Sequence, residues 1–470
     1  MRISRPSFSS PFAAFVPKQS TFEPRGGLRV GALLTMAVAL AASPGQAPAA
    51  GRYGYTPFLT NNVTQRPDGA GAFFSWHGRI DGDTIVFIAF LSSQSDSIWS
   101  WRYGVFTKLV STATPIPGGS GTFAMFDESP FVQPTVLRNG TVLFRALDGS
   151  GNPGFYTVPI AGGAVARVAD TTTMIPGTST AFDTFRDDQF GTDGTSVVFS
   201  GGDSATNVFG VYKLAADGSG ASVAMATSLV PVNSDTCTFP VDDFRTPAID
   251  AGHVVSYGQT LLDPSTGFNA LYADIVDGIP TPCSDPTFPG PYQNLANADQ
   301  TLPGDTSGTS HLHVSAPLIA GGNVLFVARN GNSFGGLYSV PFADVGQGGG
   351  PLTTLIDSTT PLPGTTSFDV SQDTLAFTVN GDQVFFAVGN RGVFRWNNGT
   401  INPVLVAGDT LDGLPVAGVT LGDVNGFFSE EAHPNTASSD ERVVLWVDFS
   451  AAGSAFYLAS EPIFSNGFDP

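Results

Sequence analysis

From about residue 51 onward, short apolar runs alternate with glycine- and proline-rich turns. The most apolar run recurs as Ile85-Val86-Phe87, Val142-Leu143-Phe144, Val197-Val198-Phe199, Val254-Val255-Ser256-Tyr257, Val324-Leu325-Phe326, Val384-Phe385-Phe386 and Val444-Leu445-Trp446. Its aromatic ends fall at 87, 144, 199, 257, 326, 386 and 446, in steps of 57, 55, 58, 69, 60 and 60 residues. A phrase repeated at such a period is one supersecondary unit copied along the chain. The pattern predicts seven units.

Two further landmarks keep the same count. A second ring follows each apolar run by 8 to 19 residues, at Phe106, Tyr156, Tyr212, Tyr272, Tyr338, Phe394 and Tyr457, as the next strand of a meander would. A proline turn then recurs at Pro117, Pro176, Pro231, Pro303, Pro363 and Pro415, with a weaker first member at Pro67. The fullest wording is VADTTTMIPGTSTAFDTF at 168–185, matched by LVSTATPIPGGSGTFAMF at 109–126 and LIDSTTPLPGTTSF at 355–368. It reads as the end of one unit's outer strand, a Pro-Gly crossing, and the approach to the next unit's innermost strand.

A unit of ~60 residues has room for four strands, and an apolar run without polar alternation is a strand buried on both faces. Four-stranded sheets stacked radially make a β-propeller. The expected fold is therefore all-β, a seven-bladed β-propeller over 51–460. An open solenoid would need polar caps, which the ends lack. Two separate sandwiches would need a linker, and the stretch between Cys283 and Leu302 reads instead as an insertion in one blade loop. The last unit runs out after Tyr457, whereas YTPFLT at 55–60 stands ahead of the first unit. This N-terminal strand is expected to complete the seventh blade and so remove the open sheet edges.

Composition agrees with a large β protein. Hydrophobic residues make up 41% of 470, with 38 phenylalanines, and charged residues only 13%. The net charge of −20 opposes phosphate backbones, so nucleic acid is not an expected partner. Residues 1–41 look different: Arg2, Arg5, Lys18, Arg25 and Arg29 precede the apolar run VGALLTMAVALAA at 30–42. This reads as a secretory signal peptide, cleaved after 41 or as late as 49. No later run approaches the ~20 apolar residues of a spanning helix. For an exported chain, a disulfide between Cys237 and Cys283 is the favoured reading, with two thiols as the alternative.

The phrases above, together with NGTVLFRA at 139–146 and GGNVLFVAR at 321–329, resemble bacterial secreted tandem-repeat proteins built on a TPIPGGTGTFTSF…NxxGxxAF unit. The resemblance implies a repeat architecture and brings no catalytic residue with it. The last residues, 463–469 IFSNGFD in a tail of 461–470, are similar to the IFxDGFE ending of secreted proteins from Xanthomonas-like and Lysobacter-like bacteria. Asn466 and Asp469 depart from that ending.

Candidate chemistry is sparse. Neither H-E-x-x-H nor G-x-x-x-x-G-K-[ST] occurs, and no nucleophile elbow is expected. The run Asp148-Gly149-Ser150-Gly151-Asn152 starts like a calcium loop, but Pro153 takes the glycine position, which favours a plain hairpin. One pattern remains. A few residues beyond each crossing stand Asp127 and Glu128, Asp187 and Asp188, Asp242 and Asp243, Asp373, and Glu430 and Glu431, with His77 and His313 near the same point in two units. Equivalent positions in a propeller form a ring, and carboxylates held together call for a cation. Calcium is the cation expected there, because oxygen ligands dominate; solvated loop ends are the alternative.

The expectation is thus a monomeric, exported binding module without catalysis, meeting a protein or glycan partner. A propeller enzyme acting on polysaccharide through paired carboxylates is the second reading, and a structural surface protein the third. Fold does not choose among them.

Overall fold

Each repeated apolar run forms the second strand of a four-stranded antiparallel sheet. A computed structural model of the chain describes residues 53–91, 94–126, 135–205, 208–226, 229–230, 239–240, 243–259, 269–274, 292–297, 300–306, 312–314, 317–330, 334–342, 351–365, 375–380, 383–422, 438–439 and 441–461. The first blade runs Arg79–Asp81, Thr84–Leu91, Gln94–Arg102, Val105–Ser111, and the third Thr184–Thr192, Ser196–Asp203, Val208–Ala215, Ser222–Ala226. The fourth is Asp243–Asp250, His253–Gln259, Asn269–Asp274, Tyr292–Asn297, and the sixth Leu375–Asn380, Gln383–Val388, Gly392–Asn397, Thr400–Val406.

In three blades the innermost strand comes in two pieces that pair with the same second strand. Met125–Phe126 and Thr135–Arg138 flank Thr141–Leu147 in the second blade, which continues with Pro153–Pro159 and Ala166–Asp170. Leu312–Val314 and Leu318–Ala320 flank Asn323–Asn330 in the fifth, which continues with Phe334–Pro341 and Thr353–Asp357. Gly418–Leu421 and Ser438–Ser439 flank Arg442–Asp448 in the seventh, followed by Ser454–Ser460. The fourth strand of the seventh blade is the N-terminal Gly54–Thr60, as the sequence predicts. Innermost strands of successive blades touch in order around the ring, and Ser438–Ser439 meets Arg79–Asp81 to close it.

The core lies between blades. Adjacent residues on a second strand face opposite neighbours, so Phe326 packs with Val255 and Leu271 of the fourth blade while Leu325 packs with Phe377 and Phe386 of the sixth. Burial on both faces removes the need for polar alternation. Each fully buried large side chain contributes about 1.5–3 kcal/mol of transfer free energy.

The crossing phrase forms a small locked loop. Thr178 N–H donates to Ile175 O at 3.1 Å with Gly177 at φ +79°, a type II turn with Pro176 at its second position. Phe182, 1% exposed, then sets its ring edge-on to Tyr212 at 4.8 Å. The same contact recurs as Phe123 with Tyr156 at 4.8 Å and Phe73 with Trp99 at 5.2 Å.

This register corrects one landmark. In the first blade the ring on the third strand is Trp99, paired with Phe87, and Phe106 belongs to the fourth strand. Tyr457 lies on the third strand of the seventh blade as expected, next to Phe456, the partner of Trp446. The stretch between Cys283 and Leu302 contains the outer strand of the fourth blade, Tyr292–Asn297; 284–291 lie outside the described residues.

Candidate functional site

Of the acidic positions that the sequence singles out, Asp187, Asp188 and Asp243 lie in innermost strands among the described residues. Asp187 and Asp188 lie in Thr184–Thr192, inside a register break between Phe185 and Phe190. Asp243 opens Asp243–Asp250 opposite Gln259, and His313 lies in Leu312–Val314 opposite Arg329. His77 is buried at 2% exposure, its N–H directed to Ser75 Oγ at 3.4 Å. Asp127, Glu128, Asp242, Asp373, Glu430 and Glu431 lie outside the described residues, as do Cys237, Cys283 and 462–470. Among the described residues no group of three or more His, Cys, Asp or Glu side chains could hold a metal ion.

Acids near this mouth whose side chains are described already have partners. Asp183, in the crossing phrase, accepts Ser204 N–H at 2.8 Å and the Ser204 hydroxyl at 2.5 Å; these bonds hold its carboxyl below the usual range. Asp305 accepts from the Asn330 amide. Asp148 accepts Ser150 N–H at 2.7 Å, Asn152 N–H at 2.9 Å and Asn152 Nδ2 at 3.0 Å, which makes the calcium-like run a self-capped hairpin.

Sequence reading missed two short motifs. Gly331-Asn332-Ser333-Phe334-Gly335 spells G-x-S-x-G, and Gly149-Ser150-Gly151-Asn152-Pro153-Gly154 spells G-x-G-x-x-G. Each joins the second and third strands of an antiparallel blade. A nucleophile elbow and a dinucleotide loop both need a strand-to-helix context. Neither motif has it.

The opposite mouth carries an arrangement that the sequence reading also missed. Here the turns between first and second strands join hands from blade to blade. Ser439 Oγ accepts Gly82 N–H at 2.9 Å, and Asp81 Oδ2 accepts Gly140 N–H at 2.5 Å. Asn139 Nδ2 donates to Asp193 O at 2.6 Å, and Asp193 Oδ2 accepts Gly252 N–H at 3.0 Å. Arg138 reaches across the third blade to Asp250 in a 2.9 Å ion pair. Burial alone would raise the Asp193 pKa, but the N–H groups of Ser196, Thr195 and Gly252 outweigh it and hold the carboxyl low. The chain of contacts runs from the seventh blade to the fourth. No single letter marks it in the sequence, because serine, asparagine and aspartate all serve.

Side chains on the third strands extend this linkage. Thr157 Oγ1 donates to Ala216 O of the next blade at 2.6 Å, Lys213 Nζ to Gly252 O at 2.6 Å, and Arg395 pairs with Glu461 at 2.7 Å. At the closure, Arg79 is fully buried and donates to Gly422 O at 3.3 Å.

No protein-family model and no curated protein matches the chain. Among solved structures it is similar to a puromycin-hydrolyzing peptidase of Mycobacterium tuberculosis, 11% identical over 87% of this chain and 54% of that one, TM-score 0.45. The chain spans about half the length of that peptidase. It is also similar to the β-propeller domain of the Trilobed protease of Pyrococcus furiosus (8% identity, 84% and 98% of the two chains, TM-score 0.46). An oligogalacturonate lyase in complex with manganese gives 10% identity, 88% and 98% coverage and TM-score 0.48. The likeness concerns the scaffold alone.

Proposed function

We propose that this chain is an exported seven-bladed propeller that binds a protein or glycan partner without transforming it. The observation that carries the reading is the belt of turn-to-turn bonds, which commits Asp81 and Asp193 to holding neighbouring blades. Asp148, Asp170, Asp183 and Asp193 are held below the ordinary carboxylate range by the hydrogen bonds they accept, so none of these four is suited to be a glycosidase acid, which must keep a proton near neutral pH. Fixed donors make the ring a rigid platform, and rigid platforms suit recognition at low entropic cost.

Export rests on the basic and apolar start of the chain, and the acids beyond the crossings remain the proposed calcium contacts. The test expresses the full chain in a bacterial host and fractionates the cells. Material recovered outside the cytoplasm is then screened on a glycan array and in a pull-down against surface proteins. The reading expects capture of a defined ligand with no chemical change to it. New reducing ends or unsaturated products from any polysaccharide would overturn it. Calorimetry with calcium on chelator-treated protein decides the cation contacts.

A further inference from the structure

Between the fifth and sixth blades the interblade packing stops short of the mouth that carries the belt. A pocket of about 220 Å³ opens there. One wall is a cross-strand row of the fifth blade, Leu325, Ser339 and Thr353. The facing wall is the matching row of the sixth, Val379, Val384 and Trp396. Asn323 and Asn398 stand at the rim.

In three other blades the equivalent side chain makes an interblade contact. Ser339 pairs with Leu325, as Thr157 pairs with Leu143, Lys213 with Val198 and Arg395 with Phe385. Thr157, Lys213 and Arg395 each reach over to a group of the following blade. Ser100 of the first blade is buried, directed to Thr107 O of its own sheet at 3.5 Å. Ser339 instead lines an open pocket opposite an indole.

We propose that this pocket binds one uncharged sugar ring, stacked on Trp396 and held at its edge by Asn323, Ser339, Thr353 and Asn398. The inference rests on the reading of the chain as a binding propeller and names a ligand class for it. Size selects a single ring, since sites for larger ligands span roughly 300–1,000 Å³. The lining then selects its chemistry. No lining residue is charged, so a charged ligand would lose its hydration without a counter-charge. A purely apolar ligand would leave four amide and hydroxyl side chains without exchange for their water. A pyranose offers both surfaces, an apolar C–H face for the indole and hydroxyls around its edge. Asn323 is already oriented, its Nδ2 donating to Gly321 O at 3.3 Å.

The experiment titrates the isolated full chain with methyl β-glucoside, methyl β-galactoside, methyl α-mannoside and N-acetylglucosamine, with glucuronate and glucosamine as charged controls. Binding is read by saturation-transfer NMR and calorimetry. At least one neutral sugar is expected to bind in the millimolar range, with the charged controls about tenfold weaker. Ser339→Leu, which fills the slot with a side chain suited to the adjoining core, is expected to abolish binding while the melting temperature holds. Trp396→Phe should weaken binding and keep it measurable; if it fails to fold, Ser339→Leu decides alone. Absence of binding by all four neutral sugars, or wild-type affinity in folded Ser339→Leu, would end the proposal. Because the titration uses sugars alone, it fails or succeeds independently of whether a surface protein is captured.

Discussion

Arg66 holds Asp96 through two parallel bonds, Nη1 to Oδ1 at 2.9 Å and Nη2 to Oδ2 at 2.7 Å, at the crossing-loop position where other blades bury Ile116, Ile175 or Leu362. The guanidinium is 1% exposed, lies 5.6 Å over the Trp99 ring and also pairs with Asp68 at 3.1 Å. Removing one partner of a buried pair costs more than replacing the charge by an apolar group. Asp96→Ala is therefore expected to lower unfolding free energy by about 1.5–3 kcal/mol. Arg66→Ile, which restores the residue type of the other repeats and leaves two carboxylates that can hydrate, should cost less. Chemical denaturation of both variants checks the order, and a larger loss in Arg66→Ile would refute it.

Part of the acid sensitivity should sit at the closure between the seventh and first blades. There the Tyr103 hydroxyl and the Arg442 guanidinium hold the Asp83 carboxyl down at about 2. A depressed folded-state pKa stabilises above the unfolded value of ~3.9, and that contribution is lost as pH falls from there toward the folded value. Wild type should lose melting temperature steeply between about pH 4 and pH 2. Asp83→Asn should start lower near neutral pH and fall less steeply across that window. Arg442→Ala should flatten the slope only in part, because the Tyr103 hydroxyl still holds the carboxyl, whereas Arg102→Ala should change it little, because Arg102 is 60% exposed and 3.5 Å from Asp83. Parallel slopes for wild type and Asp83→Asn would refute the assignment.

The belt makes a separate prediction. Asp193→Ala strands the N–H groups of Thr195, Ser196 and Gly252, bonded to its carboxylate at 2.9, 2.7 and 3.0 Å. A stranded donor costs about 1–3 kcal/mol where water cannot reach it and less where it can, as at exposed Thr195. Asp193→Asn keeps one acceptor oxygen and should recover part of the loss. Hydrogen exchange is expected to quicken first at the turns of the third and fourth blades; uniform exchange would mean that the bonds do not couple them.

The ring was legible because every second strand meets the same environment, two apolar neighbours, and so keeps the same wording. Where two residues can fill one space, the wording misleads. Phe73 packs against both Trp99 at 5.2 Å and Phe106 at 4.9 Å, so the ring on the fourth strand passed for the ring on the third. The belt was illegible for a related reason: its task is to meet a neighbour's backbone, which Ser439, Asn139 and Asp193 perform with different letters. The candidate acids share a charge and drew attention for that alone. Arg66 had a signal, a charged residue just before Pro67 where Pro117, Pro176 and Pro363 follow Ile or Leu.

Closure by the N-terminal strand carries the last prediction. Gly54–Thr60 pairs with Ser454–Ser460 and buries Phe58 and Leu59, with Phe58 5.3 Å from Trp101 and 5.8 Å from Phe456. A chain begun at residue 62 would expose the edge of Ser454–Ser460 and the apolar surface beneath Phe58, and such an edge templates association. A chain begun at residue 53 should stay monodisperse with a single cooperative transition, and the shorter one should aggregate or melt early. A synthetic peptide covering 53–61, added in trans, is expected to restore the missing strand by β-augmentation and raise the melting temperature in a concentration-dependent way. If the shorter chain stays monodisperse with an unchanged transition, the N-terminal strand is dispensable and the ring holds without it.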